Sequence, residues 1–410
     1  MTVDQILSLR PELDRFLGEF DDCFGRAEPR EHLQHYVRGQ LSELPRKSVE
    51  PIAIFNDIAP RTLQEFLNSD VWDDSRACDT VQRIVARDHE DPKAIGIIDD
   101  SGHPKSGKKT PGVQWQYCGR LGKTANCVVT VQLAFSSFDT RFRTMLDTRL
   151  FLPESWSNDR QRCRDAGIPD DVVHRPKHLM ALDMLDHAQT NGVHFEWVLA
   201  DIWYSEKPAF LAGLEQRNYR YVVEIPRNLQ GWLYDPRQGP EQTPRHPARA
   251  VEHLCRHAKQ MTRQEWTPFR IKNTDKGPMV WNVKSAPFWL RRGDQVLSGN
   301  HLIWATDPLN PGEEKIFLVF DPLQDTLATW LHVGFARWPV ERVTQDKKSE
   351  LGFSHFEVRK YQALIRHFTI TMISNLFLAR QTERLRGEKS AHHDQPSSRG
   401  HEHSHPFVLV

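Results

Sequence analysis

Two apolar runs close on carboxylates, "AIGIIDDSG" at 94–102 and "FEWVLAD" at 195–201, and they constrain the fold more than anything else in the chain. Ile95, Ile97 and Ile98 around Gly96 read as a buried central strand, and Asp99 and Asp100 stand at its end. The stretch from 94 to 226 continues as strand ("NCVVTVQLAF"), strand ("TRLFLP"), helix (176–192), strand ("FEWVLAD"), helix ("KPAFLAGLEQRN") and strand ("YRYVVEIP"). This alternation is that of a mixed α/β layer. Open α/β sheets place their chemistry at the carboxyl ends of strands, so Asp99 and Asp201 are the first candidates for a site.

The flanking segments have a different texture. Residues 1–90 are helical in pattern and form an N-terminal helical domain, within which "VEPIAIFNDIAPRTLQEFLNSDVW" has helix-turn-helix order. That order fits either a DNA-reading element or two packed helices. Residues 91–226 are the first part of an α/β core. Residues 227–330 are a β-rich insertion of short runs such as "MVWNVKSA", "HLIWATDP" and "EKIFLVF", with no good helix after "ARAVEHLCRHAKQM". Helices return over 331–387, and 388–410 is a polar, histidine-rich tail expected to be disordered.

Fifty-four basic residues balance fifty-four acidic ones, so a polyanionic partner has to be recognised by local patches. The most basic stretch near the first acid holds Lys105, Lys108, Lys109, Arg120 and Lys123, interleaved with Trp115 and Tyr117. Cations with aromatics suit DNA whose bases are partly unstacked, and a solvated loop is the rival reading. The six scattered cysteines lack zinc-ligand spacing and read as reduced thiols. With neither a signal-peptide pattern nor a membrane-length apolar run, a cytoplasmic location is expected.

Two neighbouring carboxylates repel unless a proton or cation bridges them, and a hard divalent ion is the usual remedy. A third acid to complete such a site is sought in "FARWPVERVTQDKKSELGFSHFEVRKYQALIRH". There Arg337, Glu341 and Lys348 stand at offsets of 0, 4 and 11, within roughly 40° of one another on a helix. An exposed face with an Arg337–Glu341 ion pair has the same spacing. A two-carboxylate sugar hydrolase using Asp99 and Asp201 as acid and base leaves both the basic stretch and the Arg, Glu and Lys set unexplained.

The R-x3-E-x6-K arrangement after a β-rich insertion resembles the signature of DDE transposases of bacterial insertion sequences. That signature is usually written Y-x2-R-x3-E-x6-K, and here Gly334 replaces the tyrosine. "IDDSGHPKSGKKTPGVQWQYCGRLGKTANCVVTV", "LPESW", "LADIWYS" and "LGFSHFEVRKYQALIRH" are similar to the insertion-sequence 701 group, and the similarity runs from about residue 45 to 380. The resemblance implies an α/β, ribonuclease H-like mixed-sheet core with helices on both faces, interrupted by the β-rich insertion. It implies metal-dependent DNA cleavage and strand transfer by Asp99, Asp201 and Glu341, holding two Mg2+ or Mn2+ ions per active site. Asp100 competes with Asp99 for the first place, and Glu350 and Glu357 compete less well with Glu341. Arg337 and Lys348 become phosphate clamps. The partners implied are DNA, as terminal inverted repeats and target, and a second copy of the chain in a homodimer. The alternative is a domesticated or inactive relative that binds DNA without cutting it.

Overall fold

The computed structural model describes residues 3–238, 243–274, 277–310, 312–336 and 350–393. Arg337, Glu341 and Lys348 lie outside these residues, as do His401, His403 and His405. The chain divides into two compact units: Met1–Asp91, Asp100–His194 and Val340–Val410 form one, and Pro92–Asp99 with Phe195–Pro339 form the other.

The first unit opens with helices α1 (Val3–Gly18), α2 (Ala27–Leu41), α3 (Val49–Phe55), α4 (Pro60–Asn68) and α5 (Asp74–Asp88). β1 (Ile95–Pro104) follows, with its residues to Asp99 in the second unit and those from Asp100 in the first. β2 (Gln114–Cys118), β3 (Lys123–Ser136), β4 (Arg143–Leu150), α6 (Glu154–Ser157), α7 (Arg160–Asp165) and α8 (Lys177–Thr190) complete this stretch. The second unit holds β5 (Trp197–Ala200), α9 (Ile202–Ser205), α10 (Pro208–Gln216), β6 (Arg220–Glu224), β7 (Gln230–Trp232), β8 (Arg237–Gln238), β9 (Thr243–Pro244) and β10 (Arg249–Ala250). It continues with α11 (Val251–His257), α12 (Lys259–Thr262), β11 (Thr267–Thr274), β12 (Gly277–Arg292), β13 (Gln295–Thr306), β14 (Glu314–Phe320) and α13 (Leu327–Phe335). The chain then returns to the first unit with α14 (Tyr361–His393).

β1 has β5 on one side and β3 on the other; β4 pairs antiparallel with β3, and β6 pairs parallel with β5. The order β4-β3-β1-β5-β6 is that of a ribonuclease H-like core. β3 is buried without interruption from Cys127 to Ser136, and β5 over its whole length. Unbroken burial along a strand means that both faces are covered, as the resemblance implies.

The β-rich residues continue the second unit's own sheet. β14 lies antiparallel against β6, from Phe317 opposite Glu224 to Phe320 opposite Tyr221, and β13 and β12 follow in sequence. The pairing occupies the backbone groups that β6 would otherwise leave open at a sheet edge. Three boundaries differ from the sequence reading. β1 continues through both acids to Pro104. "LATWLHVGF", read across the end of the β-rich stretch, is helix α13, capped where Thr326 Oγ1 accepts from Thr329 N at 3.2 Å; a short apolar run does not declare its period. Residues 351–360, read as helical, are irregular, and α14 begins at Tyr361.

In the first unit α14 is the central helix. Arg366 donates to the last carbonyls of α4, Phe66 O at 3.1 Å and Leu67 O at 3.2 Å, and to Trp72 O at 3.1 Å. It thereby satisfies acceptors that a helix end leaves open. A second polar cluster joins α5, β4 and α8. His187 Nε2 lies 2.7 Å from Asp79, its Nδ1 lies 3.6 Å from the buried Asp147, and Arg149 pairs with Asp147 at 2.9 Å. The pairing with Asp147 raises the His187 pKa above its ordinary value, against the opposing effect of burial. Burial pushes the Asp147 carboxyl up, but Arg149 and His187 together hold it below the usual carboxylate range.

A group with a raised folded pKa stabilises fully below its unfolded value, and one with a depressed pKa stabilises above it. The cluster therefore contributes most between about pH 4 and 6.5, and its contribution fades as pH rises through the elevated His187 pKa. Thermal melts from pH 5 to 9 are expected to show this alkaline decline in the parent and a flatter profile in His187→Gln.

Candidate active site

The register of β1 against β5 sets the geometry of the two described acids. Ile95 pairs with Trp197, Gly96 with Val198 and Ile97 with Leu199; two residues further on, Asp99 stands level with Asp201. Side chains alternate along a strand, so Asp99 shares the face of Ile95 and Ile97, and Asp201 that of Trp197 and Leu199. Both acids are half-buried. Gly96 faces the other side of β1, where a Cβ would lie 3.1 Å from the Phe195 ring. Asp201 keeps extended backbone and caps α9, its Oδ1 accepting from Tyr204 N at 3.2 Å. Asp100 points to the opposite side of β1 and pairs with Lys177 at the start of α8.

Glu341 lies outside the described residues; further along the chain, residues 350–360 pack within the first unit. Buried His103, in "SGHP", has Nδ1 2.9 Å from Ser354 Oγ and Nε2 3.1 Å from Thr130 Oγ1. Phe353 and Phe356 join a core with Val128, Leu150, Trp156 and Phe368. Lys47 donates to Gln40 O at 2.7 Å and to Glu350 O, leaving Glu350 exposed. Glu357 pairs with Arg46 at the surface. Among the described residues no group of three or more His, Cys, Asp or Glu side chains has a metal-binding arrangement.

The basic stretch separates into two parts. Lys105 turns inward, donating to Phe356 O at 2.6 Å and Ser354 O at 3.2 Å with its ammonium 3.4 Å from the Phe356 ring centroid. Burial lowers its pKa to about 8. Its charge is thus used inside the protein, which corrects its place in the basic surface. Lys108, Lys109, Arg120 and Lys123 are exposed. Beside them the β2–β3 hairpin turns at Gly122 (φ +62°), where the left-handed backbone favours glycine. On β2, Trp115 is 73% and Tyr117 66% exposed, facing outward on alternate residues. Aromatic rings this exposed leave their apolar area without a protein partner.

The other DNA candidate, the helix-turn-helix-like segment, forms α3 and α4. α4 buries Leu63, Phe66 and Leu67, Phe66 stacks on Trp72 at 5.3 Å, and outward-facing Arg61 pairs with Glu65. These contacts are those of packed helices. Sequence reasoning missed the His103–Ser354 tie, because no local pattern shows that residues 251 positions apart meet.

The absent signature tyrosine has a packing reason. Gly334 lies in α13 against β6 and β14, where a Cβ would come within 3.1 Å of Val222 Cγ1 and 3.4 Å of Phe317 Cε1. Gly334→Tyr is expected to destabilise the protein by about 3 kcal/mol or more through overpacking. Gly334→Ala sets a tight contact against about 1 kcal/mol of helix propensity and should show a smaller loss; thermal or urea melts of both variants check the order.

Residues 19–278 match the family described as DDE superfamily endonuclease. The chain is 27% identical over 218 residues, 53% of its length, to the "Probable transposase for insertion sequence element IS701" of Microchaete diplosiphon, and the match spans about half (54%) of that relative. Among solved structures it is similar to the piggyBac transposase synaptic complex with hairpin DNA, at 10% identity and a TM-score of 0.45, covering 89% of this chain and 68% of that one. With the family match extending over more than half of its length, the chain belongs to the DDE superfamily endonucleases.

Proposed function

We propose that this protein is a DNA transposase that cleaves and rejoins strands at insertion-sequence ends, with Asp99, Asp201 and Glu341 as its three carboxylates. The observation that carries the reading is the β1–β5 register, which sets Asp99 level with Asp201 on one face. Side by side and half-buried, two carboxylates fit a hard cation with oxygen ligands. DDE superfamily endonucleases generally use divalent metal ions; two ions of Mg2+ or Mn2+ per site is the arrangement proposed here. When bound, such ions supply Lewis acidity at the scissile phosphate and an acidified nucleophile, water or a 3′-hydroxyl.

The protein's own part is positional. The ladder that ends at Ile97 and Leu199 leads both chains to the two aspartates, and the cap on α9 orients Asp201. Asp99 shares the face of Asp201 and Asp100 does not, which favours Asp99 as the first acid. Lys108, Lys109, Arg120 and Lys123 are proposed to neutralise phosphates, with Arg337 and Lys348 as clamps nearer the glutamate. Trp115 and Tyr117 offer stacking faces for unpaired bases. Joining two ends requires two sites, so a homodimer on DNA is part of the proposal. No helix among the described residues is long and apolar enough to cross a membrane.

Asp99→Asn and Asp201→Asn should abolish manganese-dependent nicking of DNA while DNA binding and folding persist, and Asp100→Asn should still cut. Glu341→Gln should behave like the first pair and Glu350→Gln like the parent. Cutting by Asp99→Asn with loss in Asp100→Asn would reverse the choice of the first acid. For DNA contact, the salt dependence of binding is the measurement. Each phosphate contact contributes about 0.9 to the slope, so replacing Lys108, Lys109 and Lys123 together should flatten it by up to about 3 units, whereas Lys105→Met should leave it unchanged.

A further inference from the structure

The "LPESW" stretch and the arginines after it have no part in the chemistry above, yet they converge on the loop that carries Lys108 and Lys109. Trp156 Nε1 donates to Val113 O at 2.8 Å. The Arg162 guanidinium lies 3.7 Å from the Trp156 ring centroid and donates to Lys108 O at 3.0 Å and Val113 O at 3.5 Å. Arg162 is itself set by α7, whose cap Asp159 accepts from Arg162 N at 3.0 Å. From the other side Asn126 Nδ2 donates to Lys105 O at 2.6 Å and Gly107 O at 3.0 Å. Ser155 Oγ donates to Gln114 Oε1 at 2.6 Å.

The loop is therefore tied at its entry by Asn126 and at its middle and exit by the Arg162–Trp156 pair. We propose that Arg162, stacked on Trp156, is a positioning residue that holds the Lys108–Lys109 loop in the shape in which both ammonium groups face outward. The proposal rests on the DNA-contact reading for its purpose and on the loop contacts for its substance. A planar guanidinium is what the site requires, because it lies flat on the Trp156 indole while its Nη2 reaches the carbonyls of Lys108 and Val113; a lysine ammonium has no flat face to stack. An exposed loop of this kind, rich in lysine and glycine, would otherwise open at little free-energy cost.

Two measurements on the full chain, made on Arg162→Ala and Arg162→Lys, test it. The first is the rate of limited trypsin cleavage after Lys108 and Lys109, followed by mass spectrometry with no DNA present. The second is binding to a duplex oligonucleotide with a single-stranded extension, measured across salt. Both variants are expected to cleave at the loop about tenfold faster at an unchanged melting temperature. Both should also bind DNA about tenfold more weakly, with a salt slope flatter by about 2 units as two phosphate contacts are lost. Parent-like cleavage in both variants overturns the brace. Parent-like cleavage and affinity in Arg162→Lys alone also overturns it, because a charge without the planar stack on Trp156 would then suffice. Should Arg162→Ala fail to fold, Arg162→Lys carries the test. Failure of the parent to bind DNA would remove the DNA-contact reading, while the cleavage rates would still decide the brace.

Discussion

Everything proposed for the chemistry depends on one hydrogen-bonded ladder, the parallel pairing of β1 with β5. A slip of one residue would turn Asp99 away from the face that Asp201 shares. The register is secured by packing rather than by the acids themselves. Trp197, Val198 and Leu199 are buried opposite Ile95, Gly96 and Ile97, and Gly96 leaves space for the Phe195 ring.

The second unit braces that ladder from its far side with a buried ion network. Arg220 on β6 lies over Trp197 at 3.9 Å, pairs with Glu196, and reaches Asp321 at 2.8 Å and Asp325 at 2.9 Å, while Trp330 Nε1 donates to Asp321 Oδ2 at 2.7 Å. Burial raises the Asp321 carboxyl, but the Arg220 and Trp330 contacts hold it below its ordinary value. Charges shared among several partners tolerate burial that an isolated one would not. The network joins β5, β6 and the start of α13, the same layer against which Gly334 must fit without a side chain.

The first unit uses polar contacts differently, to fix irregular chain. Residues 350–360 have no ladder or helix to satisfy their carbonyls, so lysines do so, Lys105 for Ser354 and Phe356 and Lys47 for Glu350, while His355 Nδ1 in return accepts from Lys47 N at 3.1 Å. Buried backbone acceptors without partners are costly. A lysine that looks like part of a DNA surface in the sequence is therefore withdrawn into the structure, while its neighbours Lys108 and Lys109 remain outside.

The sequence by itself determined the α/β class and marked Asp99 and Asp201 as strand-end acids, because apolar period, turn residues and terminal acids are local and each strand carries its own pattern; the ribonuclease H-like order was implied only by the family resemblance. The sequence also carried that resemblance, in the block from "IDDSG" to "VVTV". Only the tertiary structure decided that Asp99 and Asp100 part company across β1, that Lys105 serves carbonyls, that His103 meets Ser354, and that the β-rich residues extend the sheet through β14 and β6. These outcomes rest on contacts between residues distant in the chain, and the alternation that makes a strand legible says nothing of what lies against either face. Glu341, Arg337 and Lys348 fall between the two kinds of knowledge: their spacing is written in the sequence, and their place lies outside the described residues.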